Sequence, residues 1–155
     1  MTVREMKTEE YPLLDDFLYE AIYIPEGGEL PPRAVIEEPE FQVYVEGFGS
    51  GEDDKAVAAE IDGKVVGAAW ARIMNDYGHV DDETPSLAIS MYTEFRGQGI
   101  GTALMQKLLE ILKDCGYEKV SLSVQKENYA VKMYKKTGFE VVEEKGEEYI
   151  MICQL

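Results

Sequence analysis

The run Leu87-Ala88-Ile89-Ser90-Met91, followed closely by Arg96-Gly97-Gln98-Gly99-Ile100-Gly101 and then by the periodic apolar segment Thr102–Cys115, decides the fold of this chain. It reads as a strand, a glycine turn and the start of a helix. Three glycines in five residues permit positive φ and a close approach of the backbone. Consecutive N–H groups can then point outward at the positive end of a helix dipole, which makes a seat for phosphate.

Two familiar phosphate-binding patterns fail on spacing. The dinucleotide fingerprint G-x-G-x-x-G needs glycine where Thr102 stands, and the P-loop needs a lysine directly after Gly101. The turn has the form R-x-x-G-x-G instead. About thirty residues on lies Asn128-Tyr129-Ala130-Val131-Lys132-Met133-Tyr134-Lys135-Lys136-Thr137-Gly138-Phe139, an N…A…Y…GF segment. In these two motifs, and in their order, the chain resembles the GNAT family of N-acetyltransferases. The resemblance implies an α+β fold with one mixed, mostly antiparallel central sheet flanked by helices, in the order β-α-α-β-β-β-α-β-α-β-β.

Composition agrees with one compact domain over residues 1–155, since a chain of this length with 45% apolar residues can bury a sizeable core. The N-terminus, Met1-Thr2-Val3-Arg4-Glu5-Met6, lacks a signal-peptide apolar stretch, and no run reaches the roughly 18 apolar residues of a membrane span. A cytoplasmic protein is expected. Cys115 and Cys153 have no metal-ligand spacing and are expected to be buried free thiols. The net charge of −16 argues against nucleic acid or an anionic membrane as partner and favours a cationic acceptor. The same charge could serve only solubility.

Local patterning places the remaining elements. Val3–Met6 is a first strand, and Thr8 is expected to cap a helix carrying Leu13, Leu14, Phe17, Leu18, Ala21 and Ile22. Residues 25–32 form a loop, and 35–48 a second helix or two short turns; the resemblance implies that this region faces the acceptor, whose identity the loops around 23–50 and 75–83 would decide. Ala56–Asp62 and Lys64–Met74 flank Asp62-Gly63 and pair as a hairpin. Beyond the glycine turn, Ile100, Leu104, Leu108, Ile111, Leu112 and Cys115 make the core stripe of a helix closed by Gly116. Val120–Val124 is a strand, Tyr129–Thr137 a helix, and Phe139–Glu144 with Glu148–Gln154 a closing hairpin.

What the resemblance implies about chemistry can be assigned residue by residue. Gly97, Gln98, Gly99, Gly101 and Thr102 would offer main-chain donors to the pyrophosphate of acetyl-CoA, with Arg96 adding charge. Ile89, Ser90 and Met91 would pair with the pantetheine arm, and an N–H there would hold the thioester oxygen. Asn128 is similar to the family's pantetheine-contacting asparagine, although it stands six rather than seven residues before Tyr134, the seven-residue slot being Glu127. Tyr134 aligns with the tyrosine that protonates the departing thiolate. Read on their own, Asn128 is a helix N-cap and Tyr134 a core tyrosine.

The proton acceptor is read from both charge and position. An alkylamine of pKa about 10.4 is free in only about one molecule per several thousand at pH 7, so a base is needed. His79, Asp81, Asp82 and Glu83 cluster before the motif strand, and Glu83, thirteen residues before Arg96, lies near where histone acetyltransferase relatives carry their glutamate. These acids could equally form a solvated turn. Lys126, Lys132, Lys135 and Lys136 are the one basic cluster, suited to the adenosine 3′-phosphate or to a plain solvated face. The expected activity is acetyl transfer from acetyl-CoA to a primary amine by direct attack; the alternative is a non-catalytic acyl-CoA-binding module. A homodimer, known among relatives, stays open.

Overall fold

The computed structural model describes all residues, 1–155, as a seven-stranded sheet in the order β1-β2-β3-β4-β5-β7-β6. Its strands are β1 (Thr2–Glu5), β2 (Lys55–Ile61), β3 (Lys64–Arg72), β4 (Ser86–Met91), β5 (Lys119–Gln125), β6 (Phe139–Lys145) and β7 (Glu148–Gln154). The helices are α1 (Leu14–Glu20), α2 (Pro39–Gln42), α3 (Ile100–Asp114) and α4 (Ala130–Lys136). Every strand pair is antiparallel except β4 with β5, as the expected mixed sheet requires. The element order matches the expected one, with α2 reduced to a single turn after a 3-10 turn at Arg33–Glu37.

Two apolar layers hold the sheet. One face carries α3 and α4 over Val57, Ala69, Val120, Leu122 and Met151; the other carries α1 and the 33–48 segment over Ala58, Ala68 and Trp70. The alanines of β2 and β3 keep both faces shallow, so that Leu104, Met105, Leu108 and Leu112 of α3 can be fully buried. Each such side chain contributes about 1.5–3 kcal/mol, which fixes the helix whose N-terminus opens onto the glycine turn. Gly67 on β3 meets β4 closely, because a Cβ there would lie 2.9 Å from Met91 Cβ and 3.0 Å from the Ser90 carbonyl oxygen.

Several local expectations change. Residues Thr8–Leu13 form a 3-10 helix rather than the first turn of an α-helix, and Lys7, not Thr8, precedes it, its N–H donating to Glu10 Oε1 at 2.8 Å. The α-helix ends at Glu20, so Ala21 and Ile22 lie beyond it. Asp62 (φ 52°) and Gly63 (φ 79°) do make the two-residue hairpin turn. Cys153 is buried, but Cys115 is exposed. The reason is the C-terminal cap of α3. Gly116 (φ 92°) donates to the Lys113 carbonyl and Tyr117 to that of Leu112, which turns the chain one residue after Cys115 and leaves that side chain past the last buried position, Leu112.

Candidate active site

Strands β4 and β5 touch at one point and then part. Their pairing is limited to Ser86 opposite Ser121, where the Ser121 N–H donates to the Pro85 carbonyl at 3.0 Å. At the far end of β4 the Tyr92 N–H turns the other way, to the Val66 carbonyl on β3 at 3.0 Å. Strand alternation therefore aims the N–H and C=O groups of Ile89 and Met91 at the gap, where they have no strand partner. An extended ligand can pair with that free edge as a strand would.

The glycine turn sits at the mouth of the same gap. Gly97 (φ 76°) and Gly99 (φ 81°) are left-handed, and Gly99 is the N-cap of α3. Because of this path, the N–H groups of residues 97–102 donate to no acceptor within the protein, and the first intrahelical bond is Ala103 to the Gly99 carbonyl. Six consecutive free donors stand at the positive end of a 15-residue helix. That is an anion site made from backbone.

Arg96 is engaged elsewhere. Its guanidinium lies 3.0 Å from the Glu20 carbonyl oxygen and 3.2 Å from Glu20 Oε2, so it clasps the C-terminus of α1 to the glycine turn. Gln98 turns its side chain away, donating to the Glu94 carbonyl at 3.2 Å.

Below the turn, one cleft of about 590 Å³ gathers most of the expected residues: Ile89, Ser90, Met91, Arg96, Gly97, Gly99, Gly101, Thr102, Asn128 and Tyr134. Ser90 faces the α1 side, its Oγ donating to the Phe17 carbonyl at 2.5 Å. Asn128 Oδ1 accepts the Ala130 N–H at 2.9 Å, a side-chain turn onto the first residue of α4 just ahead of its N-cap Tyr129, and its amide NH₂ stays free. Tyr134, on α4, is buried with its ring 6.0 Å from that of Phe139. Its hydroxyl has no partner in the protein while the residue lines the cleft. Burial, reinforced by the nearby Tyr129, pushes its pKa well above 10, so it stays a protonated donor across the neutral range.

The acids and the histidine of residues 79–83 are not in this cleft. Glu83 is exposed three residues before β4, at the end where β4 and β5 pair rather than where they part. The preceding loop packs on β5: a Cβ on Gly78 would lie 3.1 Å from the Leu122 carbonyl carbon, and Ser121 Oγ donates to the Gly78 carbonyl. His79 Nδ1 is 2.9 Å from the Met74 carbonyl oxygen. Lys126 pairs with Glu144, and Lys132, Lys135 and Lys136 are exposed outside the cleft.

The family resemblance put the 23–50 region on the acceptor side but singled out none of its residues. Glu20, Ile22, Tyr23, Ile24, Glu26 and Leu30, from the end of α1 and the loop after it, complete the cleft, and Glu127 and Tyr129 close the side near α4. The Pro/Gly-rich composition of 25–32 marked a loop, but nothing local said that it would fold over the glycine turn some seventy residues away.

Residues 15–139 match the model of the Acetyltransferase (GNAT) family. The chain belongs to the GNAT family. A similar protein, an N-alpha-acetyltransferase from Sulfurisphaera tokodaii, is 36% identical over 93 residues, covering 54% of this chain and 55% of its own. An uncharacterized N-acetyltransferase from Archaeoglobus fulgidus is 28% identical over 128 residues, covering 78% and 82%. The chain spans about half the length of the archaeal N-alpha-acetyltransferases it matches, and less of several others. Among solved GNAT structures, the PaiA N-acetyltransferase of Thermoplasma acidophilum in complex with coenzyme A superposes with a TM-score of 0.71 at 20% identity over 100% of both chains. The ribosomal-protein-S18-alanine N-acetyltransferase of Escherichia coli gives 0.67 at 18% identity, over 99% of this chain and 92% of its own. These two likenesses establish the shared GNAT fold.

Proposed function

We propose that this GNAT chain is an acetyl-CoA-dependent N-acetyltransferase that moves an acetyl group to a primary amine by direct attack, both substrates being bound at once. The observation that carries the reading is the row of free N–H groups at residues 97–102, in one cleft with the unpaired β4 edge and the Tyr134 hydroxyl. These fit the donor's three parts: N–H groups for the pyrophosphate, Ile89, Met91 and Asn128 for the amide-bearing arm, and a main-chain N–H of β4 for the thioester oxygen. When bound, acetyl-CoA supplies an activated carbonyl and a thiolate leaving group.

The protein's own work is positioning and proton transfer. A β4 N–H aimed into the gap stabilises charge growing on the carbonyl oxygen. The Tyr134 O–H donates a hydrogen bond to the departing sulfur; with the phenol held above its usual pKa and a thiol near about 8.5, it stabilises the thiolate chiefly as a hydrogen-bond donor. For the amine proton, the carboxylates lining the cleft are Glu20, Glu26 and Glu127, and Glu20 is held by Arg96. Glu26 and Glu127 are the unpaired carboxylates of the cleft and are assigned as the proton acceptors, directly or through water, whereas Glu83 stands outside it. Arg96 acts as a clasp between the donor and acceptor walls, and Gln98 contributes only its backbone.

The names of two similar proteins, an N-alpha-acetyltransferase and a ribosomal-protein-S18-alanine N-acetyltransferase, agree with an amine acceptor. The test is release of free CoA thiol from acetyl-CoA with a panel of amines over a no-amine blank. Amine-dependent release is expected. A thermal shift by acetyl-CoA with no release for any amine would instead leave a binding module, and no shift at all would sink the acetyl-CoA reading.

A further inference from the structure

Seven large apolar side chains are exposed on this protein, and two of them, Leu30 (73%) and Tyr129 (72%), line the cleft below the glycine turn. They come from elements on opposite faces of the sheet, the loop after α1 and the turn before α4. Ile22 and Ile24 extend the first wall. This wall is built: Tyr19 Oη donates to the Pro31 carbonyl at 2.6 Å, Gly28 N–H to the Pro25 carbonyl at 2.8 Å, and Arg33 ties the segment to Asp16 of α1 at 2.6 Å. Apolar side chains on two walls of one cleft offer surface that a bound apolar group would remove from water, a gain of about 25 cal/mol per Å² covered.

Charge adds a second constraint. Glu26 and Glu127 line the same cleft and take part in no ion pair or hydrogen bond through their side chains, whereas the one cation there, Arg96, is already paired with Glu20. No lysine lines it. The unbalanced charge beside the apolar walls is therefore negative, and Tyr129 adds a ring face that attracts a cation.

We infer that the acceptor is a primary ammonium with an apolar or aromatic group a few bonds from its nitrogen, the ammonium drawn by Glu26 and Glu127 and the apolar group seated between Leu30 and Tyr129. A polyamine or a polyhydroxylated amine would satisfy the acids and leave both apolar walls against polar surface. This substrate class rests on the transfer reading above for its role, but its recognition is measurable without transfer.

The experiment is calorimetric titration of the protein saturated with CoA, which cannot turn over, using 2-phenylethylamine against ethanolamine and tetrapeptides that differ only in a first residue of Leu or Ser. The apolar member of at least one pair is expected to bind at least tenfold tighter, the scale of one buried leucyl or phenyl group. Leu30→Ser should shrink that ratio several-fold, and the ratio, unlike affinity alone, does not follow a general loosening of the fold. Discrimination among the small amines only identifies a small-molecule acceptor; discrimination among the peptides identifies a chain N-terminus. Equal binding within both pairs, a preference for the polar members, or no binding of any amine overturns the inference. Discrimination on the CoA-loaded protein without acetyl release from acetyl-CoA would leave it standing and refute the transferase reading instead.

Discussion

Alanine at Gly99 and alanine at Gly101 should move stability in opposite directions although the two glycines are neighbours in one turn. Gly99 has φ 81°, and a Cβ there would meet nothing within 4 Å, so the whole cost of Gly99→Ala is the left-handed backbone, about 1–2 kcal/mol. Gly101 has no positive φ and lies in the first turn of α3. A Cβ on it would stand 3.3 Å from Met91 Cε and 3.5 Å from Met133 Cε, the mobile ends of flexible chains. Alanine is better than glycine inside a helix by about 0.8–1 kcal/mol, a gain trimmed here by moving the two methionines. For a domain of this size about 1 kcal/mol corresponds to about 2–4 °C, so Gly99→Ala should lower Tm by about 2–8 °C and Gly101→Ala raise it by up to about 3 °C. Both should weaken CoA binding, the first by turning the free N–H groups, the second by crowding the cleft with displaced Met91 and Met133. Scanning calorimetry and CoA titration on the two variants read both quantities. A Gly99→Ala protein with unchanged Tm and unchanged CoA affinity would refute the claim that this turn is held left-handed in order to aim its amides.

Tyr134→Phe keeps the buried ring and removes only a hydroxyl that no protein group satisfies, so kcat should fall by about 10²-fold or more with CoA affinity nearly unchanged; equal kcat by thiol release would remove Tyr134 from the reaction. Hydrogen bonding from Arg4 holds the Glu10 carboxyl down at about 2 against an ordinary 4.5. A depressed carboxylate contributes stability that is complete above the unfolded value and is lost as pH falls from about 4.5 through about 2, so Glu10→Gln should flatten the acid limb of a Tm-versus-pH curve in that window. An acid limb identical to that of the wild type would mean the Arg4–Glu10 pair does not control it.

The parts of this molecule that were legible in its sequence are those fixed by neighbours in the chain. Of the three glycines whose run permits positive φ, Gly97 and Gly99 adopt it and Gly101 does not; Asp62-Gly63 makes its turn, and Tyr134 lies one helical turn after Ala130 on a face that reaches the cleft. What was not legible depends on which end of a strand opens. Counting back from Arg96 places Glu83 before β4, but whether that is the open or the closed end is set by the single contact of Ser86 with Ser121, thirty-five residues apart. Arg96 likewise read as a free cation because its partner, Glu20, is 76 residues away. Cys115 fell on the apolar stripe of α3, yet the cap at Gly116 ends the buried face before it.

Those distant pairings determine how a protein of net charge −16 can hold an anion at all. With Arg96 neutralised by Glu20 and the lysines of α4 outside the cleft, the attraction must come from the dipoles of the amides at 97–102, which act at hydrogen-bond distance, well inside the screening length even at about 0.1 M salt. The repulsion comes from carboxylates spread over the whole surface. A unit charge about 15 Å from a ligand phosphate costs about 0.3 kcal/mol in water, so the net excess opposes binding by several kcal/mol before screening. Raising ionic strength from about 0.01 M to about 0.1 M shortens the screening length from about 30 Å to about 10 Å and removes most of that opposition while sparing the short-range term. CoA affinity should therefore rise at least several-fold with salt over this range, the reverse of a site built from lysine and arginine. Titration calorimetry at the two ionic strengths decides the matter: affinity that falls with salt would mean that Arg96 leaves Glu20 for the phosphate, and that the site is cationic after all.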